Sequence, residues 1–215
     1  MIAVLDYGIG NLRSAEKALA HLGADVRLVT DPDDAVGAAG IVLPGVGAFG
    51  ACATALRASG LDAVARRAID DDVPFLGICV GYQLLFEGSD ESPDQQGLGI
   101  LEGRVERLRG EVKLPQIQWN QVRRERDGRM LAGTEDPWFY FVHSYVPVPT
   151  GKSLDAIAGS AEYGERFVAA VETGNLWGVQ FHPEKSGTSG LSLLARFVQL
   201  AEPESSALLG TATRA

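Results

Sequence analysis

The chain opens on four consecutive apolar residues, Ile2-Ala3-Val4-Leu5, ahead of Asp6. A run that short and that apolar predicts a buried strand. The period then changes. Leu12, Ala15, Leu19 and Leu22 fall at helical spacing, with Asn11 placed to cap and Gly23 to stop the helix. Alternation returns in ADVRLVT (24–30), a second strand, and DPDD (31–34) reads as a turn or helix start. GIVLPG (40–45) predicts a third strand running into the loop PGVGAFG (44–50). Two helical stretches follow, around 51–58 and 61–71, and VPFLGI (73–78) is the most apolar strand of the first half. Strands alternating with helices predict an α/β fold, an open and mostly parallel sheet with flanking helices.

From about residue 98 to 150 the texture is different. LGILEGRVERL, QIQWNQVRRE and WFYFVHSYVPVP are strand-like and separated by turns, which predicts antiparallel hairpins added to the parallel core. FVAAVETGNLWGVQFHPE (167–184) reads as a hairpin around ETGN that ends in a loop, and GLSLLARFVQLA (190–201) as an amphipathic closing helix. Residues 1–202 are expected to form one domain, with 203–215 a disordered tail.

Composition narrows the class. At 215 residues and 46% hydrophobic content the chain can build one substantial core. The net charge of −9 disfavours nucleic acid as a partner, which usually needs a basic face. No apolar run approaches a bilayer span, and MIAVLDYG reads as a first strand rather than a signal peptide, so a cytoplasmic protein is expected. Its two cysteines, Cys52 and Cys79, are then expected to be free thiols.

Cys79 lies in PFLGICVGYQLLF (74–86), where an apolar strand meets Gly-x-Cys-x-Gly and a new apolar segment begins at once. This is the sulfur counterpart of a nucleophile elbow. Gly77 and Gly81 remove side chains where strand and helix crowd together. The turn lifts the sulfur out of the sheet end, and the first helical N–H groups, Val80 among them, point at whatever the sulfur attacks. Cys52, in AFGACATAL, lies among helix formers and reads as a core thiol.

A thiol nucleophile needs a base, and the base an orienter. The chain has three histidines. His21 precedes Gly23 and reads as a surface or helix-terminal residue. His143, in YFVHSY, reads as structural. His182, in GVQFHPEKSG, sits at a strand end stiffened by Pro183, with Glu184 two residues on to fix its tautomer. A second oxyanion donor is expected from PGVGAFG, whose glycines admit close approach of a ligand. That loop lacks the Gly-Lys-Ser/Thr of a phosphate loop, and DYGIGNLR carries Arg13 where a dinucleotide fingerprint needs its third glycine. No metal-ligand cluster or cofactor motif is visible.

PGVGAFG, GICVGYQLLF and GVQFHPEKSG together resemble the signature blocks of the class I (triad) glutamine amidotransferases, with coverage from about residue 2 to 200. The resemblance implies a flavodoxin-like core and hydrolysis of the glutamine side-chain amide by Cys79, His182 and Glu184. It implies that Gln83 and Glu91 hold the amino-acid head of glutamine, that Gly45, Ser144 and Tyr145 line the same pocket, and that Val46 and Gly47 join Val80 as oxyanion donors. VLDYGIGNLRS, Trp119-Asn120, FYFVHSY and Lys185-Ser186-Gly187 point within the family to glutaminase subunits that pass ammonia to a separate cyclase subunit in a heterodimer. That cyclase makes imidazole glycerol phosphate and aminoimidazole carboxamide ribotide in histidine biosynthesis. Asn11, Trp119, Asn120, Tyr140 and Lys185 match positions facing it.

The chain departs from the family in PQIQWN, where Gln118 stands in place of the usual glycine, and Tyr82 fills a slot often held by methionine. Other readings are a glutaminase subunit serving anthranilate, guanylate or pyridoxal phosphate synthesis, a free cysteine hydrolase of related fold, and a non-catalytic domain that has kept the fold. A free hydrolase would not need Gln83 or Glu91.

Overall fold

A computed structural model of the chain describes residues 1–133 and 137–203. The tail expected from Pro203 onward lies, beyond that one residue, outside the described residues. In chain order the elements are β1 (Ile2–Leu5), α1 (Leu12–His21), β2 (Val26–Val29), β3 (Gly40–Gly45), α2 (Phe49–Ala58), α3 (Leu61–Asp70) and β4 (Phe75–Cys79). There follow α4 (Val80–Gln83), β5 (Gly88–Ser89), β6 (Ser92–Gln96), β7 (Gly103–Arg107), β8 (Gln116–Gln121), β9 (Arg123–Arg124), β10 (Trp138–His143) and β11 (Tyr145–Pro149). The chain closes with β12 (Ile157–Tyr163), β13 (Glu165–Thr173), β14 (Leu176–Val179) and α5 (Gly187–Ala201).

The main sheet has the order β2-β1-β3-β4-β14-β13-β12-β9. Its first five strands are parallel, and β13, β12 and β9 extend it antiparallel. The parallel part thus has the strand order of a flavodoxin-like sheet. β1, β3, β4 and β14 are buried along their whole length, as strands covered on both faces must be. α1 packs beside α5, and α2 beside α3. Right-handed crossovers put these two pairs on opposite faces, because the chain steps one way from β1 to β2 and the other way from β3 to β4.

The added strands are more elaborate than paired hairpins. β8 and β10 form an antiparallel pair, while β11-β7-β5-β6 is a separate four-stranded sheet in which β5 and β7 run parallel. WFYFVHSYVPVP is therefore two strands in two sheets, divided at Ser144. Gln118 lies inside β8, exposed, opposite Phe141, so the departure from the usual glycine falls within a strand.

α4 is a single turn, much shorter than the apolar run VGYQLLF suggests. The reason is competition for the carbonyls just past its end. Leu98 N–H bonds the Leu84 carbonyl, Ile100 and Leu101 N–H bond that of Leu85, and Gly99 N–H bonds that of Phe86. A tertiary segment takes the places a continuing helix would have filled.

Candidate active site

β4 ends at Cys79 with φ 54° and ψ −111°. A non-glycine residue at positive φ is held there against its own preference, and the surroundings must impose it. Here they do so by backbone contact. A Cβ on Gly81 would stand 1.8 Å from the Leu43 carbonyl oxygen, and one on Gly77 would stand 3.0 Å from Tyr82 Cα. The ends of β3 and β4 close on the elbow with no room for a side chain, so the cysteine takes the strained corner.

His182 follows β14, the strand beside β4 in the sheet. Its backbone is clamped at both ends: its N–H donates to the Tyr140 carbonyl at 2.9 Å, and its carbonyl accepts from the Ser186 hydroxyl at 2.6 Å. The same Ser186 oxygen accepts from the Tyr140 N–H at 3.0 Å. Imidazole Nδ1 meets Glu184 Oε1 at 2.8 Å, with both side chains 2% exposed. Nε2 makes no well-formed hydrogen bond, but the Cys79 side chain is close enough to act on the ring. Burial, the largest single influence, pulls the imidazole pKa down; Cys79 and Glu184 together outweigh it and raise it to about 10. The favoured state of His182 is therefore the imidazolium.

Asn11 begins α1, yet its side chain does not cap the helix. Its Nδ2 donates to Glu184 Oε1 at 3.2 Å, and its Oδ1 accepts from the Ser14 hydroxyl at 2.9 Å. The residue expected at the partner face thus also buttresses the carboxylate behind His182.

Cys79, His182 and Val80 line one cavity of about 250 Å³ together with Val46, Gly47, Gln83, Glu91, Ser144 and Tyr145. That is below the roughly 300–1,000 Å³ of sites for drug-sized ligands and suits a small metabolite. Gly47 has φ +84°, which a side chain would strain. The Val46 carbonyl is held at 3.3 Å by the Cys52 thiol, so Cys52, wholly buried, supports the loop from behind. Burial, the largest influence, raises its pKa, which keeps it a thiol. Gln83 Nε2 donates to the Tyr145 carbonyl and to Gln180 Oε1, both at 3.0 Å. Glu91 Oε2 accepts from the Phe49 N–H at 2.8 Å at the start of α2. Gly45 lies one residue outside this wall, where its Cβ would stand 2.8 Å from the Gly81 nitrogen. Among the described residues, no group of three or more His, Cys, Asp or Glu could hold a metal ion.

The remaining sequence candidates gather on the outer face of the β8–β10 pair. Tyr140 lies opposite Trp119, with ring centroids 6.3 Å apart. Ile117, Trp119 and Trp138 are 59%, 48% and 54% exposed, an apolar strip of the kind that marks an interaction surface. Lys185 is exposed. Asn120 faces inward instead and donates to the Glu162 carbonyl at 2.9 Å, tying β8 to β12. The inner face of the pair carries Phe139 and Phe141, which pack on Phe181 beside His182 at 3.9 and 5.6 Å. Sequence reasoning missed Gln180, Ser186 as a clamp, and the exposed Ile117 and Trp138. A polar residue between Val179 and Phe181 in a buried strand end was the available signal for Gln180.

The chain matches the family described as Glutamine amidotransferase class-I over residues 3–200. It resembles a crystal structure described as a glutamine amidotransferase (TM-score 0.73, 23% identity, 93% of this chain and 98% of that one). It also resembles the structure of PurLQS from Thermotoga maritima (TM-score 0.74, 20% identity, 92% and 97%). At those identities the structural likeness speaks for the fold. The chain belongs to the class I glutamine amidotransferases. Within that family its curated relatives are more particular. It is 46% identical over 200 residues to the imidazole glycerol phosphate synthase subunit HisH of Moorella thermoacetica, covering 93% of this chain and 94% of the relative. It is 45% identical over 200 residues to the protein of the same name in Methanothermobacter thermautotrophicus, covering 93% and 98%. Against the chloroplastic imidazole glycerol phosphate synthase hisHF of Arabidopsis thaliana it is 41% identical, covering 92% of this chain and 34% of that longer protein.

Proposed function

We propose that this chain hydrolyses the side-chain amide of L-glutamine and passes the ammonia to a cyclase subunit that makes imidazole glycerol phosphate and aminoimidazole carboxamide ribotide in histidine biosynthesis. The observation that carries the reading is the strained Cys79 sharing one cavity with an imidazole whose far nitrogen is held by Glu184.

In the proposed reaction the Cys79 thiolate attacks the carboxamide carbon. N–H groups of Val80 and of the Val46-Gly47 loop receive the oxyanion, each donor worth roughly 3 kcal/mol. His182, as imidazolium, gives its proton to the leaving nitrogen; ammonia departs and a thioester remains. His182 then takes a proton from water, which attacks the thioester and releases glutamate. The pocket suits the rest of the substrate. With both hydrogens of its amide engaged, Gln83 keeps Oε1 to accept from the α-ammonium. Glu91 adds the negative charge, and Ser144 and Tyr145 supply polar groups for the carboxylate.

The partner face is assigned to the β8–β10 strip with Trp119 and Tyr140, continued by Asn11 and Lys185. Asn120 serves that face from within by fixing β8. The strip adjoins the catalytic loop, since a Cβ on Gly187 would meet Trp119 Cη2 at 3.9 Å. Ammonia released at Cys79 is proposed to cross there. Among the described residues no helix is long and apolar enough to cross a membrane. We place the reaction in the cytoplasm, where a reducing environment keeps both thiols free.

Cys79→Ser in complex with the cyclase tests the reading. Glutamine-dependent synthesis should fall by at least about three orders of magnitude, while synthesis from ammonium salts at alkaline pH should persist. Near-normal turnover with glutamine would remove Cys79 as nucleophile. Loss of both activities would mean that the substitution had damaged docking, and the division of labour would fail.

A further inference from the structure

Gln180 is 0% exposed and sits between Val179 and Phe181, where an apolar side chain would cost nothing to bury. Its Nε2 lies 3.7 Å from Cys79 Sγ, within reach of an N–H···S hydrogen bond. The orientation of this amide follows from its neighbours. The Tyr145 carbonyl can only accept, so the Gln83 atom 3.0 Å from it is the donor Nε2. The same Nε2 meets Gln180 at 3.0 Å, so Gln180 must present Oε1 there. Its own Nε2 is left facing the sulfur. A backbone carbonyl thus fixes a chain of two buried amides that ends with a donor on Cys79.

We propose that Gln180 is a further catalytic residue: its side-chain N–H stabilises the Cys79 thiolate, and through Gln83 it ties the sulfur to the pocket that holds the amino-acid head of the substrate. The proposal rests on the reading of Cys79 as nucleophile. The physical case is charge assistance. A hydrogen bond to an anion is about twice as strong as one between neutral groups, and water cannot replace it at a wholly buried amide. The donor also holds the sulfur on the side of β14, so that its other side faces the substrate. An ammonium group bound at Gln83 Oε1 would polarise both amides in the sense that strengthens the last N–H toward sulfur.

Gln180→Glu is the informative substitution. It keeps an acceptor for Gln83 but turns a carboxylate oxygen toward the sulfur. Gln180→Met removes the donor without adding charge, and serves if the first variant folds poorly. Alkylation of Cys79 by iodoacetamide is followed from pH 5 to 9 by peptide mapping, in the complex with the cyclase. Turnover with glutamine and with ammonium is measured on the same samples. In Gln180→Glu the pH midpoint of alkylation should move upward by about one pH unit or more, and kcat with glutamine should fall at least about tenfold. KM should change less than about threefold, and the ammonium reaction should be kept. Gln180→Met should move the same way by less. Unchanged alkylation midpoints in both variants would overturn the inference, as would losses shared equally by the ammonium reaction. A wild-type chain that iodoacetamide does not modify at Cys79 would instead sink the nucleophile reading, and this inference with it.

Discussion

His182 and His143 line the same cavity, and both are buried, at 1% and 6% exposure. Each has Nδ1 engaged by an oxygen, and each has an Nε2 without a hydrogen-bond partner. They nonetheless end in opposite charge states. For His143 the oxygen is the Tyr145 carbonyl at 3.1 Å. Burial, the largest influence, holds its pKa down to about 3; the backbone bond to Tyr145 opposes it, and the charge of His182 adds a smaller push in the same direction as burial. For His182 the oxygen belongs to Glu184, and with Cys79 it overcomes burial and raises the pKa to about 10. Burial alone makes a neutral wall. Burial with a counter-charge makes an acid that can deliver a proton. Two imidazolium ions in so small a cavity would repel, so a neutral His143 is also what leaves His182 free to be the cation.

Breaking the counter-charge should give the largest effect. Glu184→Gln keeps an acceptor for Asn11 but removes the anion, so His182 should behave more like His143. Glutamine turnover should fall by roughly 10²–10⁴, with the fold intact by circular dichroism. The alkaline limb of the pH–rate profile should move to lower pH. An unchanged rate would reduce Glu184 to a loop carboxylate and leave the charge on His182 without a cause.

Stability against pH sharpens the contrast with a smaller effect. For His182, raised from 6.5 to about 10, the contribution is fully present below pH 6.5 and is lost as pH rises through 10. For His143, lowered from 6.5 to about 3, it is present above pH 6.5 and is lost as pH falls through 3. Urea midpoints should therefore decline on both sides of neutrality. His182→Gln should flatten the alkaline decline and His143→Phe the acid one. If either variant kept the wild-type slope on its own side, that histidine would not be the titrating group.

Much of this site could be read in the sequence because its parts are local. The elbow declares itself within five residues, Gly77 to Gly81, and the His182–Glu184 pair within three. The parallel core was equally legible, since β1, β3 and β4 are apolar runs set between helical periods. What escaped was long-range. β6, SPDQQ, has only an intermediate and exposed burial pattern and no apolar alternation, and its pairing with β5 is defined by tertiary contact. α4 stops after one turn because residues 97–101 take the carbonyls that follow it, which no local propensity reports. The Asn11–Glu184 contact joins residues 173 positions apart, and the Gln180–Cys79 contact residues 101 apart. Asn11 read as a cap because its local sequence is that of a cap; its partner lies at the other end of the chain.

Tyr82 supplies the smallest and cleanest extension of the comparison. It is a third buried polar group beside the elbow, but its hydroxyl has neither a counter-charge nor a carbonyl. Burial raises its pKa, so it stays a neutral phenol. The ring has a clear purpose: it packs edge-on to Phe86 at 5.5 Å and covers Gly178, where a Cβ would stand 2.3 Å from its Cδ2. The oxygen has none, and an unsatisfied buried hydroxyl costs about 1–3 kcal/mol. Tyr82→Phe keeps the ring and removes that cost, so the chain should gain up to about 1 kcal/mol in urea unfolding, with glutamine turnover within about twofold of wild type. A loss of more than about 1 kcal/mol would show that the hydroxyl is satisfied, with an ordered water as the evident partner. The rule drawn from the two histidines, that a buried polar group here is worth only what its partner makes it, would then need that water counted among the partners.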